Sequence, residues 1–209
     1  SRLLKSQRKN NLLDKFDIGA DIVSLVNEAQ STLGNVFSSV DELSENNFYK
    51  VVDAFRQENI GAHHFMPTNG YGYSDLGREA LARVFARAVG AESAVISPHI
   101  SCGTHAISLA LYAVLRPFDT LISVTGRPYD TLSSVIGKPG RDSGSLADLS
   151  VKYEQIELKE DGSIDTDAVL RMLRQCERPK VLFIQRSRGY EWRSALCMKK
   201  LSEFSLAVK

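Results

Sequence analysis

Six side chains able to hydrogen-bond lie in the stretch HISCGTHAIS at 99–108, where an apolar run is followed by a helical pattern. Backbone N–H groups at the start of a helix attract anions, and the helix dipole strengthens that attraction. Gly103 would let a ligand approach the backbone closely, and the hydroxyls of Ser101 and Thr104 could donate hydrogen bonds. The stretch therefore predicts an anion site; the alternative is a plain helix N-cap at Thr104. His105 is interpreted as a ligand, a base or a structural hydrogen-bonding residue.

Two further polar clusters follow β-prone runs in the same way. GRPYDTL at 126–132 contains Tyr129, and IQRSRGYEW at 184–192 carries two arginines. In α/β proteins, ligands bind at the carboxyl ends of the strands, so three such clusters favour one anion-binding crevice. The alternative is that each cluster only caps its loop and that the arginines are solvated.

The elements that would position these clusters alternate along the second half of the chain. Alternation of short strands with helices predicts βαβ units and a largely parallel sheet. The β-prone runs are 93–97, 120–124, 151–158 and 180–184, and the helical patterns are 104–115, 130–136, 165–176 and 195–207.

The first half of the chain has a different pattern. Helical spacing of apolar residues predicts amphipathic helices over 17–33 and 41–58, followed by an aromatic, glycine-containing loop at 61–75. A further helix is predicted with Ser74 as its N-cap and Gly90 just past its end.

Composition excludes several classes of protein. The chain has 209 residues, 43% of them hydrophobic, and its 26 Lys and Arg against 25 Asp and Glu give a net charge of +1. That charge creates no field that would recruit nucleic acid or an anionic membrane, and no apolar stretch reaches the roughly 18 residues of a membrane span. Three cysteines without a CxxC pair favour a reducing compartment, either the cytoplasm or an organelle interior, and predict no metal site. The chain starts at Ser1, and a targeting peptide that preceded it would not be seen, so the sequence does not predict which compartment it is.

Four motifs in order carry a resemblance to a known family. HHFMPTNGYGYSDLGREAL, SPHISCGTHAISLALYAVLRPFD, TGRPYDTL and IQRSRGY, between about Ser44 and Ser194, resemble the aluminium-resistance or methionine γ-lyase-like family of pyridoxal-phosphate (PLP) enzymes. The resemblance implies the aspartate-aminotransferase type of fold, an α/β three-layer sandwich with a mostly parallel sheet, preceded by N-terminal helices. It divides the chain into a helical segment, 1–60, and an incomplete N-terminal part of the large PLP-binding domain, 61–209.

The resemblance assigns a ligand to the crevice. It implies that the cofactor phosphate lies on the turn Cys102-Gly103-Thr104 and that Tyr129 stacks on the pyridine ring. Phosphate favours a helix N-terminus, and a flat ring favours an aromatic face, which agrees with that assignment.

Further site residues follow from the same resemblance. Ser187 or Arg186 would lie near the ring or the substrate. Tyr71, Tyr73 and Arg78 are similar to residues that reach the phosphate of a neighbouring subunit in related lyases.

The chain departs from the family pattern at three points. Cys102 replaces a common serine, and Ser194 replaces a proline. The lysine that forms the Schiff base and the aspartate that pairs with the pyridine nitrogen belong to segments expected beyond Lys209. No catalytic residue is therefore identified within the chain itself.

We expect the N-terminal portion of a PLP-dependent carbon–sulfur lyase or transferase that acts on a small sulfur-containing amino acid by α-proton removal and β- or γ-elimination. The alternative is a truncated, non-catalytic relative that serves as a scaffold or as a subunit of a larger complex, and a third hypothesis is a generic anion-binding α/β module. An incomplete sheet would expose a strand edge, so a homodimer or larger assembly is expected in either main case.

Overall fold

The computed structural model describes residues 16, 18–69, 71, 75–138, 140 and 144–209. The chain divides into two compact units, Ser1–Ser97 and Pro98–Lys209. The predicted division at residue 60 stays a prediction.

The first unit is helical. Helix α1 spans Ala20–Thr32, α2 spans Gly34–Gln57, a short 3₁₀ helix spans Ala62–Phe65 and α3 spans Leu76–Val89. The predicted N-terminal helices are confirmed, although α2 begins seven residues before the predicted start at 41 because Leu33 forms only a brief break between α1 and α2.

Capping residues in the sequence determine where α3 begins and ends. The N-cap is Asp75, whose carboxylate accepts a hydrogen bond from the Arg78 N–H at 3.1 Å. The predicted cap, Ser74, is thus one residue early, and it lies outside the described residues. Gly90 adopts the left-handed conformation, with φ 69°, that ends helices, as predicted.

Glu58, just past the end of α2, joins α2 to α3. Its carboxylate accepts hydrogen bonds from Arg87 and from Arg83, the latter at 2.7 Å. These two guanidinium groups, Arg87 first, lower the pKa of Glu58 below its ordinary value. The first unit is therefore held partly by charge between its two longer helices.

The second unit contains a parallel sheet. Strands β1 (Thr120–Ser123), β2 (Lys152–Gln155) and β3 (Pro179–Phe183) lie in the order β2-β1-β3, and β1 is parallel to both neighbours. Since β1 is the central strand, all four of its residues are buried. The predicted parallel α/β sheet is confirmed.

Helices cover both faces of this sheet: α4 (Gly103–Val114), α5 (Asp130–Ile136), α6 (Thr166–Gln175) and α7 (Met198–Ala207). Alternate β1 residues show the layering, because successive side chains of a strand point to opposite faces. Leu121 packs with buried residues of α4 and α5, whereas Ile122 packs with buried residues of α6 and α7. The second unit is thus a three-layer sandwich, as predicted.

The prediction of a strand over 93–97 is wrong. These residues form no strand in the described part of the chain, and the Val95 side chain is 83% exposed. A β-prone run becomes a strand only where another strand pairs with it, and the three paired strands all lie within Pro98–Lys209.

Within the described residues, none of the helices combines the length and the apolar composition that crossing a membrane requires.

Candidate active-site crevice

The loops that follow β1 and β3 are joined side by side at the carboxyl edge of the sheet. The Val124 N–H donates to the Phe183 carbonyl at 3.0 Å, and the Gln185 N–H donates to the buried Thr125 hydroxyl at 3.0 Å. Because β1 and β3 are parallel neighbours, both loops leave the sheet at the same edge. The clusters at 126–132 and 184–192 therefore lie together, as the sequence predicts.

Helix α4 begins at the predicted anion site, but Thr104 does not cap it. The N-cap is Cys102, whose sulfur accepts a hydrogen bond from the His105 N–H at 3.4 Å. The His105 ring nitrogen Nδ1 lies 3.4 Å from the Ser101 N–H, which donates to it. His105 is thus a structural hydrogen-bonding residue that shapes the turn. The thiol provides the cap, and the Thr104 hydroxyl makes a different contact.

The Thr104 hydroxyl connects the two halves of the crevice. Its oxygen lies 2.9 Å from the hydroxyl oxygen of Thr131, in the first turn of α5. The start of α4 therefore lies beside the start of α5, whose N-cap is Tyr129. A side-chain carbon placed at Gly103 would meet no atom within 4 Å, so packing does not require glycine there and the backbone is open to a ligand.

Tyr129 is held at both ends. Its backbone N–H donates to the side-chain oxygen of Gln185 at 2.8 Å, and its hydroxyl donates to the Tyr190 hydroxyl at 3.1 Å. The two rings stack with centroids 5.7 Å apart and planes inclined by 30°. The hydrogen bond to Tyr190 stabilises the neutral phenol and so raises the pKa of Tyr129. Tyr129 is 37% exposed and presents an aromatic surface at the crevice.

The two candidate residues after β3 have different surroundings. Arg186 turns toward the chain itself, because its Nε donates to the Leu196 carbonyl at 2.9 Å. The Ser187 carbonyl accepts a hydrogen bond from an Arg193 guanidinium nitrogen at 2.8 Å, which holds the loop beside Tyr190. Arg186 therefore stabilises the segment that leads to α7, whereas the Ser187 carbonyl also accepts a hydrogen bond from the side-chain nitrogen of Gln185 at 3.3 Å, in the loop that carries Tyr190.

Three candidate residues, Tyr71, Tyr73 and Arg78, belong to the first unit. Tyr71 is exposed, and its N–H donates to the Asn69 side chain at 3.0 Å. Arg78 lies in the first turn of α3, with its Nε 3.7 Å from a carboxylate oxygen of Asp75. Tyr73 lies outside the described residues. Their predicted contact with a phosphate stays a prediction.

Three residues of the crevice were not singled out from the sequence: Thr131, Gln185 and Tyr190. All three lie inside the motifs that follow the strands, so position after a strand was the available signal. Their roles depend on partners 27, 56 and 61 residues away along the chain.

The chemistry of these residues suits one kind of ligand. The amide groups at the start of α4 and the hydroxyls of Thr104 and Thr131 suit a phosphate group. Tyr129 offers a face for a flat ring a short way along the same edge. The crevice is thus suited to a ligand that carries both a phosphate and an aromatic ring.

Comparison with known proteins relates the chain to one family. Residues 22–209 match the profile of the methionine gamma-lyase family. Uncharacterized protein YnbB of Bacillus subtilis is 37% identical over 199 residues, which cover 95% of this chain and 47% of the relative.

Two solved structures are similar over the same span. A Clostridium acetobutylicum protein, provisionally named as a cystathionine beta-lyase involved in aluminum resistance, superposes with a TM-score of 0.89 at 39% identity, over 96% of this chain and 48% of that one. A Clostridium novyi carbon-sulfur lyase involved in aluminum resistance gives 0.89 at 38% identity, over 96% and 47%. The chain therefore spans about half the length of these relatives and matches their N-terminal part.

Proposed function

The chain belongs to the methionine gamma-lyase family, and we propose that it forms the cofactor-binding N-terminal portion of a PLP-dependent carbon–sulfur lyase. The observation that carries the proposal is the 2.9 Å contact between the Thr104 and Thr131 hydroxyls, which brings the start of α4 to the loop of Tyr129. The substrate is a small sulfur-containing amino acid, in keeping with the names of the relatives.

The residues present fit the cofactor. Its phosphate would lie at the start of α4, where the space beside Gly103 is open and the helix dipole favours an anion. Tyr129 would stack on its pyridine ring, and Ser187 would lie at the side of the ring. Tyr71, Tyr73 and Arg78 are proposed to reach the phosphate of a neighbouring subunit.

When bound, the cofactor supplies an electron sink that makes the α-proton of an amino acid acidic and allows its carbon–sulfur bond to break. The residues of this chain bind and orient; proton transfer is assigned to groups outside it. Tyr129 excludes water from one ring face, and the α4 amides hold the phosphate as an anchor.

Pyridoxine 5′-phosphate provides a direct test of the crevice, because it has the ring and the phosphate but no aldehyde that could react with surface lysines. We expect the full 209-residue chain to bind it, and pyridoxine without the phosphate to bind at least about tenfold more weakly, since charge-assisted hydrogen bonds to the phosphate are lost. Isothermal titration calorimetry measures both affinities. Failure of the phosphate compound to bind, or equal affinity for the two compounds, would contradict the proposal.

A second candidate function is a non-catalytic subunit of a larger assembly, and the apolar faces of α1 and α2 favour it. Twelve large hydrophobic side chains of these helices are exposed: Ile22, Leu25, Val26, Val36, Phe37, Val40, Leu43, Phe48, Tyr49, Val51, Val52 and Phe55. Contiguous exposed apolar surface is typical of protein interfaces. Assembly is proposed under both functions, whereas ligand binding is expected only under the first.

We expect size-exclusion chromatography with light scattering to give at least twice the chain mass of 23.1 kDa. The double variant Val40→Glu/Leu43→Glu should shift the mass toward that of one chain, since it places two charges on the apolar face of α2. A chain that runs as a monomer before mutation would refute the assembly.

A further inference from the structure

Gln185, two residues past the end of β3, makes three hydrogen bonds within and between the loops that follow β1 and β3. Its N–H donates to the Thr125 hydroxyl at 3.0 Å, and its side-chain oxygen accepts from the Tyr129 N–H at 2.8 Å. Its side-chain nitrogen donates to the Ser187 carbonyl at 3.3 Å. The residue therefore joins the loop after β1, which ends at the start of α5, to the loop after β3.

The bond to Tyr129 has a specific consequence. Tyr129 is the N-cap of α5, so its N–H lies outside the helical hydrogen bonding and needs another partner. The Gln185 carboxamide supplies that partner across 56 residues of sequence. This contact fixes the backbone from which the Tyr129 ring projects.

The loop held by Gln185 also reaches the ring. Gly189 adopts φ 59°, and a side-chain carbon placed there would lie 3.6 Å from both the Gln185 side-chain nitrogen and the Tyr129 ring. The next residue, Tyr190, stacks on Tyr129 and accepts its hydroxyl hydrogen bond. Both ends of Tyr129 thus depend on the segment that Gln185 joins.

We propose that Gln185 is a positioning residue: its carboxamide holds the Tyr129 backbone and the loop that carries Tyr190, and thereby sets the Tyr129 ring for a flat aromatic ligand. Gln185 acts through Tyr129. The inference rests on the proposed function, because that function makes Tyr129 the stacking ring. The effect of Gln185 on Tyr129 can be measured in the chain without a ligand.

The test compares Gln185→Leu, which removes both polar groups, with Gln185→Glu, which keeps an acceptor for the Tyr129 N–H. The first readout is a pH titration of the Tyr129 phenol by NMR of ¹³C-labelled tyrosine, with its signal assigned from Tyr129→Phe. The second is the affinity for pyridoxine 5′-phosphate. Thermal unfolding of each variant shows whether its fold is intact.

In Gln185→Leu we expect the pKa of Tyr129 to fall, because the hydrogen bond to Tyr190 that raises it is no longer held in place. The affinity should drop about threefold to tenfold, the worth of one stacking contact. In Gln185→Glu, the pKa of Tyr129 and the affinity for pyridoxine 5′-phosphate should both be closer to those of the unmodified chain. Tyr190→Phe, which changes only an exposed hydroxyl, should lower the pKa of Tyr129 in the same direction.

Gln155 provides a matched control. It lies at the end of β2, where its side-chain oxygen accepts from the Tyr153 hydroxyl at 2.9 Å and its side-chain nitrogen contacts Glu157. Gln155→Leu removes a glutamine from the same edge of the sheet, and it should leave the Tyr129 titration unchanged.

An unchanged Tyr129 titration and an unchanged affinity in Gln185→Leu would overturn the inference while leaving the proposed function in place. A shifted titration in a chain that never binds pyridoxine 5′-phosphate would support the positioning of Tyr129 and refute the proposed function. If Gln185→Leu loses cooperative unfolding, the Tyr129 phenol is titrated in Gln185→Glu and Tyr190→Phe instead. A pKa of Tyr129 that does not change in Tyr190→Phe would then overturn the inference.

Discussion

Ile122→Ala is expected to lower the free energy of unfolding by about 3 kcal/mol, the range for isoleucine in a well-packed core. Ile122 is 0% exposed and lies in the central strand β1. It packs in one cluster with Val169 of α6 and Phe204 of α7, so its removal leaves a cavity between the sheet and both helices. Urea titration followed by circular dichroism measures the loss, and hydrogen exchange of the β1 amides locates it.

Val95→Ala serves as the control for Ile122→Ala. Val95 is also β-branched, but it is 83% exposed and belongs to the run at 93–97 that forms no strand. Its replacement should change the free energy of unfolding by less than about 0.5 kcal/mol. Equal costs at the two positions would show that β1 is not the centre of the core, and a cost above about 1 kcal/mol at Val95 would place that run in a sheet.

The parts of the fold that were predictable are those with a local signal. Apolar runs of four or five residues between helical patterns located β1 and β3 within one residue, and the pattern 104–115 matches α4 at Gly103–Val114. Alternation of strands and helices then implies a parallel sheet whose loops meet at one edge. That is why the sequence predicts that the clusters containing Thr104, Tyr129 and Ser187 meet at one crevice.

The parts that were not predictable depend on partners distant in sequence. The run at 93–97 has strand composition, but pairing decides whether a strand forms, and composition carries no information about pairing. Gln185 is an ordinary polar residue in its own motif, and its role follows only from the 2.8 Å contact with the Tyr129 N–H. Serine and threonine are commoner caps than cysteine, so the sequence favoured Thr104 where the structure has the Cys102 thiol.

Substitutions of Cys102 can distinguish helix capping from anion binding. Both depend on this position, but a charged and an uncharged capping residue should affect them differently. Cys102 is exposed, and its sulfur accepts the His105 N–H at 3.4 Å. A carboxylate or a hydroxyl caps a helix better than a thiol does, so Cys102→Asp and Cys102→Ser should each stabilise α4, by about 0.5–1 kcal/mol. The two variants differ in charge at the point where a phosphate would lie.

Cys102→Asp should therefore raise the thermal midpoint and yet weaken the binding of pyridoxine 5′-phosphate about thirtyfold. Repulsion between the new carboxylate and a doubly charged phosphate costs about 2 kcal/mol at roughly 4 Å, even with the dielectric constant of water. Cys102→Ser, with the same capping gain and no charge, should bind at least as tightly as the unmodified chain. Calorimetry measures the affinities and a melting curve measures the capping. If Cys102→Asp binds as well as Cys102→Ser, the phosphate does not lie at the start of α4; if both lose binding, the position matters for shape and not for charge.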